Sequence, residues 1–290
     1  MNPVVRKAIR RVGIDDSWKS RAVYRAYEFL FHHENWKKNQ QMREFYSNLV
    51  QSVPMQDWNL EKTVIFDIGA NKGDTTEYFR HASEEVISLE PDHRLASQLR
   101  NRFKPVESVT VVEAAVNHQN GYSILYLNPE FPAYNTLNGK WRDILQSSSK
   151  HQFNQSYIVE TFSLDHLIQI YGRPVYIKLD IEGAELSALK GLTHAIPYLS
   201  FECNLPHFRE ETLHMMQMLK LLSPEVEYMY STSEGFRKNL SRWIPSDEME
   251  DFVKRTSYSF LEIMARMHRQ DSQPITPRLR MHKTPEVVLS

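Results

Sequence analysis

Val64-Ile65-Phe66-Asp67-Ile68-Gly69-Ala70-Asn71-Lys72-Gly73-Asp74-Thr75-Thr76 runs from an apolar stretch, through two glycines four residues apart, into a segment suited to a helix. The β-branched and aromatic run before Asp67 predicts a strand covered on both faces. The glycines let the backbone turn tightly and approach a ligand closely. A dinucleotide fingerprint would read G-x-G-x-x-G, with its acid only after the next strand. Here Ala70 follows the first glycine, and Asp67 puts a carboxylate inside the turn, where it would repel a pyrophosphate.

Val86-Ile87-Ser88-Leu89-Glu90-Pro91 is a second apolar strand, ending in an acid 23 positions after Asp67. An acid there can accept both hydroxyls of a ribose. The two acids together suit a nucleoside ligand carrying an ammonium and a sulfonium, which is the chemistry of S-adenosylmethionine.

From residue 63 onward, strands expected at 63–69, 86–90, 109–116, 175–179 and 199–201 alternate with helices at 75–81, 94–103 and 185–190. That alternation predicts an α/β fold, a mostly parallel Rossmann-like sheet with helices on both faces. Asn120-Gly121 between 109–116 and 123–127 is a hairpin signal. Residues 128–156 form the longest irregular stretch, and loops of that length in compact domains usually serve a site. Ahead of the α/β domain, expected over 61–268, residues 1–60 read as a helical N-terminal extension. Its stripes are Val23, Ala26 or Tyr27, Leu30, and then Met42, Phe45 or Tyr46, Leu49. His32 and His33 are neighbours, and neighbours point to different faces of a helix, which is wrong for a shared metal ion. Residues 269–290, with prolines, charges and little periodicity, read as a flexible tail.

The 290 residues are 41% hydrophobic and 24% charged, an ordinary globular balance with one cysteine, Cys203. A lone cysteine excludes a disulfide framework and suits a reducing compartment. No apolar run reaches membrane-spanning length and no secretion signal is evident, so a cytoplasmic location is expected. The net charge of −1 hides asymmetry: residues 1–50 hold ten Lys/Arg against five acids, residues 254–290 seven against three, and the stretch between is acidic. An acidic domain is a poor partner for a nucleic acid backbone, so no nucleic acid partner is expected. Val4, Val5, Ala8, Ile9 and Val12 keep helical spacing among basic residues; the expected role is a helix packed on its own domain, with peripheral membrane contact as the alternative.

Val175-Tyr176-Ile177-Lys178-Leu179-Asp180-Ile181-Glu182-Gly183-Ala184-Glu185 places a lysine and three acids where a strand gives way to a helix. If this strand neighbours the first, Lys178, Asp180 and Glu182 can reach the ligand's reactive carbon. A carboxylate can take a proton from an acceptor hydroxyl, and several can hold a divalent cation. The metal is the weaker option because the motif offers no histidine or further carboxylate. Glu185 fits the acid preference of a helix N-terminus.

The chain resembles the FkbM-type S-adenosylmethionine-dependent methyltransferases. The shared features are Phe66 to Gly73, Glu90-Pro91, Ala114-Ala115-Val116, Ser163-Leu164-Asp165, and Lys178 to Glu185 with Leu189-Lys190-Gly191, in that order over roughly 60–205. The resemblance implies a class I methyltransferase fold and methyl transfer, usually to a hydroxyl of a small metabolite or sugar. It implies that Asp67, Gly69, Ala70, Asn71, Gly73 and Thr75 line the methionine part, that Glu90 and Pro91 hold the ribose, and that Glu113, Ala114 and Ala115 flank the adenine. Lys178, Asp180, Glu182 and His207 are the catalytic candidates, His207 as an alternative imidazole base. Asn135, Trp141, Glu202 and Asn204 are the acceptor-lining candidates, with packing as the alternative for Trp141. Asn204-Leu205-Pro206-His207 is similar to the Asn-x-Pro-aromatic signature of amino-methyltransferases, but His207 stands where a stacking ring is usual. Amino-group transfer and a non-catalytic cofactor-binding module are the alternatives, and a nicotinamide oxidoreductase is disfavoured by Asp67.

Overall fold

The computed structural model describes residues 33–148, 151–233, 236 and 240–269. The expected N-terminal basic helix, the stripe ending at Leu30, His32 and residues 270–290 of the expected tail lie outside these residues. The chain divides into two units, residues 1–45 and 46–290. In the first, the described residues are the opening turns of helix α1 (His33–Gln51). Met42, Tyr46 and Leu49, the stripe read from the sequence, are buried.

The second unit is built on an eight-stranded sheet. In chain order its strands are β1 (Val64–Ile68), β2 (Glu85–Leu89), β3 (Val109–Val112), β7 (Tyr176–Leu179), β8 (Tyr198–Asn204), β9 (Glu227–Ser231), β10 (Ile244–Pro245) and β11 (Phe260–Arg266). Their spatial order is β10-β9-β11-β8-β7-β1-β2-β3. β3, β2, β1, β7 and β8 run parallel, and β11 lies antiparallel between β8 and β9. The chain leaves β1 toward β2 and β3 on one side and later returns to β7 and β8 on the other. The switch point is therefore between β1 and β7, and the crevice beyond their carboxyl ends is where open α/β sheets bind ligands.

β1 and β7 are buried at every residue, as strands covered on both faces should be. On one face Tyr176 of β7 meets Tyr46 of α1 and Phe79 of α2 (Asp74–Phe79), with ring centroids 5.8 and 5.4 Å away, and Tyr46 and Phe79 meet edge-on at 4.7 Å. Such aromatic pairs add about 0.5–1.5 kcal/mol beyond their burial. Charge interrupts this apolar packing at the last turn of the strands, where Asp67 sits in register with Ser88 of β2 and Lys178 of β7.

Three local readings are corrected. The expected strand over 109–116 is two strands, because the chain leaves the main sheet at Glu113. β4 (Ala115–Val116) instead joins a small sheet with β5 (Gly121–Leu127) and β6 (Gln155–Phe162), in the order β4-β6-β5. The Asn120-Gly121 turn therefore does not close a hairpin; β6 lies between the strands it connects, and the Asn120 amide oxygen accepts from the Ser163 backbone N–H. The stretch 128–156 is not irregular throughout, since it contains helix α4 (Gly139–Ser147), capped by Asn138, whose side chain accepts from the Trp141 N–H.

The outer shared motifs have structural work. Ser163 caps α5 (Leu164–Tyr171) by accepting from the His166 N–H, while Asp165 accepts from the N–H and hydroxyl of Thr193 just beyond Gly191.

Candidate active site

The turn after β1 is shaped by how near β7 comes to it. Gly69 adopts φ +83°, and a Cβ placed on it would lie 1.8 Å from the Asp180 carbonyl oxygen. Only glycine lets the two strand ends close up in this way. Beyond them opens a cleft of about 510 Å³, lined on one side by Gly69 to Asn71, Glu90 and Pro91, and on the other by Asp180, Glu182 and Glu202. Thr75, Ala114, Ala115 and Asn135 also line it.

Glu90, at the end of β2, is fixed by two backbone donors: Oε2 accepts from the Asn71 N–H at 2.8 Å and Oε1 from the Asp92 N–H at 2.9 Å. Burial pushes its carboxyl up to about 7, against these hydrogen bonds. Asn71 at φ +50° has a buried side-chain oxygen with no hydrogen-bond partner among the described residues. An unsatisfied buried acceptor in a cleft wall suits a ligand that brings a donor. With Glu90 spare for further donors and the backbone exposed at Gly69 and Ala70, these residues fit the ammonium and ribose of S-adenosylmethionine.

The opposite wall gathers three carboxylates from two strand ends. One oxygen each from Asp180, Glu182 and Glu202 lies within 4.8 Å of the others. Lys178 pairs with Asp180 from beneath. Burial opposes the lysine's charge, but Asp180, Glu202 and Asp67 together hold its ammonium above the ordinary range. Glu202 is raised well above the usual carboxylate range, by burial first and then by Asp180. The spacing would allow three oxygens to meet one hard cation. The Lys178 ammonium already on Asp180 works against a second positive charge there.

Several expected site residues lie elsewhere. Asp67 is fully buried behind the cleft wall, where Oδ2 accepts from the Thr76 hydroxyl at 2.6 Å. Its carboxyl is raised by burial, opposed by Lys178 and Thr76. Gly73 faces Leu99 and Phe103 of helix α3 (His93–Phe103), so it is a packing glycine. Glu113 points outward and pairs with Arg100. Lys178 lies under the wall and reaches the site through Asp180. Asn204, at the end of β8, is outside the lining, and His207 is exposed, its carbonyl accepting from Lys140 Nζ at 2.7 Å. Of the stretch 202–207, only Glu202 faces the cleft. Trp141 is buried, and its indole N–H donates to Glu182 Oε2 at 2.8 Å.

Residues 128–138 form a strap across the cleft; sequence reading had it as part of a long loop, with Asn135 its acceptor-lining candidate. Asn135 donates to Asp92 Oδ2 at 2.9 Å, beside Glu90-Pro91, while the next residue, Thr136, donates to the Glu182 carbonyl at 2.7 Å. Phe131, Pro132, Ala133 and Tyr134 of this strap line the cleft. Its polar and proline-rich composition marked a loop, and nothing in its spacing showed that it returns to both walls.

Residues 67–238 match the methyltransferase FkbM domain. Among solved structures, the chain is similar to the methyltransferase FkbM from Methylobacillus flagellatus at 17% identity and a TM-score of 0.43, over 75% of this chain and 47% of that one. It is similar to an S-adenosylmethionine-dependent O-methyltransferase from Thermotoga maritima at 13% identity and a TM-score of 0.36, over 79% and 67% of the two chains. A ribosomal RNA small subunit methyltransferase A from Acidobacterium capsulatum is 42% identical over 55 residues, 19% of each chain. Thus the chain spans only part of these relatives' lengths. The match over 67–238 takes in both walls of the cleft, and the chain belongs to the FkbM methyltransferase domain family.

Proposed function

We propose that this protein is an S-adenosylmethionine-dependent methyltransferase acting on a hydroxyl of a small-molecule or carbohydrate-type acceptor. What carries the reading is the opposition, across one cleft, of a ribose-type acid at the end of β2 and a carboxylate cluster at the ends of β7 and β8. Glu90 would hold the ribose, and Asn71 with the Gly69–Ala70 backbone the methionine end. S-adenosylmethionine supplies the methyl group as an electrophile on a sulfonium. The protein's part is to align the acceptor oxygen with it, which can remove about 7–11 kcal/mol of the barrier. A carboxylate taking the acceptor proton adds about 10²–10⁴-fold.

The cleft's charge supports an acceptor that is not a polyanion. Among the described residues, six carboxylates line it, against one cationic side chain, Lys72. A nucleic acid backbone would meet repulsion there and release no counterions in compensation.

The test is to incubate the protein with methyl-labelled S-adenosylmethionine and parallel panels of polyols and sugars, amines, and RNA. Label recovered in an alkali-stable ether of a hydroxylated acceptor supports the reading. Label in an amine or in RNA overturns its acceptor class.

A further inference from the structure

The buried Lys178 ammonium lies among four acids that act on its charge: Asp180 just beyond β7, Glu202 on β8, Asp67 on β1 and Glu262 on β11. Asp180 takes it as a direct ion pair, and Asp67 accepts from the Thr76 hydroxyl at 2.6 Å. Glu262 is 1% exposed, stands directly opposite Glu202 in the β8–β11 pairing, and accepts from the Phe236 N–H at 3.3 Å. Glu182, the third acid of the cleft cluster, accepts from the Trp141 indole at 2.8 Å. Glu202 differs from all of these. Among the described residues its carboxyl accepts no hydrogen bond and forms no ion pair.

Carboxylates this close to one another cannot all ionise beside a single cation. Glu202 meets Asp180 and Glu182 along the wall and Glu262 across the ladder, and its counter-charge is Lys178, already engaged by Asp180. A proton costs least on the acid that has no donor, because protonation there breaks no hydrogen bond. Burial and Asp180 both favour the neutral form of Glu202. The side chain also lines the cleft, so its proton can respond to what enters. Glu90, on the opposite wall, is pushed up to about 7 and adds no positive charge. An opposite charge arriving within about 4–6 Å would return Glu202 to its carboxylate form.

We propose that Glu202 is the catalytic proton acceptor, and that the positive charge of the methyl donor is what ionises it. This rests on the methyltransferase reading above. S-adenosylmethionine has a sulfonium, an ammonium and a carboxylate, a net positive charge; S-adenosylhomocysteine has lost the sulfonium and is neutral. With the cation in the cleft, Glu202 releases its proton to solvent. As the acceptor oxygen bonds to the methyl carbon, the carbon–sulfur bond breaks with its electron pair left on sulfur, and the hydroxyl proton passes to Glu202. The cleft loses one positive charge and the wall one negative charge in the same step. Glu202 ends neutral, as it began. Asp180 keeps its ion pair with Lys178 throughout, and Glu182 its bond from Trp141.

The wild-type chain tests this without any acceptor. Binding enthalpies of S-adenosylmethionine and of S-adenosylhomocysteine, each measured at pH 7.5 in phosphate and in Tris, give the protons released by each ligand. Both carry the same ribose and amino-acid groups, so a proton from Glu90 cancels in the difference. Expected is up to about one more proton released with S-adenosylmethionine, and an affinity for it, relative to S-adenosylhomocysteine, that grows with pH by up to about tenfold per unit. Glu202→Gln should lose this excess while binding S-adenosylhomocysteine within about threefold of wild type, and Glu182→Gln should keep it. Equal proton release in wild type overturns the proposal, as does an excess that survives in Glu202→Gln. With a hydroxylated acceptor that wild type turns over, Glu202→Gln should lower kcat by about 10²–10⁴-fold; full kcat overturns the catalytic role. Wild-type protein that binds neither ligand would count against the parent reading, whereas binding of both with equal proton release counts against this inference alone.

Discussion

Gly69 and Asp180 touch main chain to main chain: a Cβ on Gly69 would stand 1.8 Å from the Asp180 carbonyl oxygen. This contact joins the proposed cofactor wall to the proposed acceptor wall at the switch point of the sheet. Gly69→Ala cannot be absorbed by a side-chain rotation, because the obstructing atom is backbone and φ is +83°. The substitution should cost about 2–4 kcal/mol in chemical unfolding and abolish S-adenosylhomocysteine binding. A variant of wild-type stability and affinity would show that the two strand ends are not held this closely.

Glu90 gives ligand binding a pH dependence of known sign. Its carboxyl is pushed up to about 7 by burial, and the ribose hydroxyls of the proposed ligand would donate to the ionised form. Binding therefore drives a proton off, and affinity should fall as pH drops below about 7, by up to about tenfold per unit. Titrations between pH 5.5 and 8.5, in wild type and in Glu90→Gln, should show the slope in the first and a weaker, flat response in the second.

Glu185 affects stability instead. Oε1 accepts from the Ile181 and Gly183 N–H groups, which shapes the turn that carries Glu182, yet burial raises its carboxyl to about 7 from an unfolded value near 4.5. The folded state keeps a proton that the unfolded chain has lost across that window. Stability from this group thus falls as pH rises from 4.5 to 7 and stays reduced above. Glu185→Gln keeps an acceptor oxygen and removes the buried charge, so it should raise Tm at pH 8, with an upper figure of about 3 kcal/mol, and have little effect at pH 4.5.

Asp180→Asn should lower stability as well as turnover. It leaves the Lys178 ammonium, whose side chain is 7% exposed, without its ion pair. The expected cost is about 1–3 kcal/mol, less than for a fully buried pair because the Asp180 side chain is 30% exposed. Turnover lost together with Tm marks Asp180 as the partner of Lys178, whereas turnover lost at unchanged Tm would assign it the role of proton acceptor.

Much of this was legible in the chain because it lies in local pattern. The β1 turn, Glu90 after an apolar strand, and the Lys178 to Glu185 run each carry their meaning within a dozen residues, and the structure brings them to one cleft. What was not legible depends on long-range return. Asp67 looked like a ligand residue, but in a strand buried on both faces alternation alone does not say which side meets the ligand. The metal option looked weak for want of a histidine or further carboxylate in the motif, yet β8 supplies Glu202 by parallel pairing with β7. Trp141 looked like an acceptor-lining ring until helix α4 folded its indole onto Glu182.

The central claim is that the cleft between β1 and β7 is an S-adenosylmethionine site. Calorimetric titration with S-adenosylhomocysteine, with NAD as control, tests it most directly. Micromolar binding of S-adenosylhomocysteine, absent for NAD and weakened in Glu90→Gln, is the predicted result. A folded protein that binds NAD, or neither ligand, would contradict it.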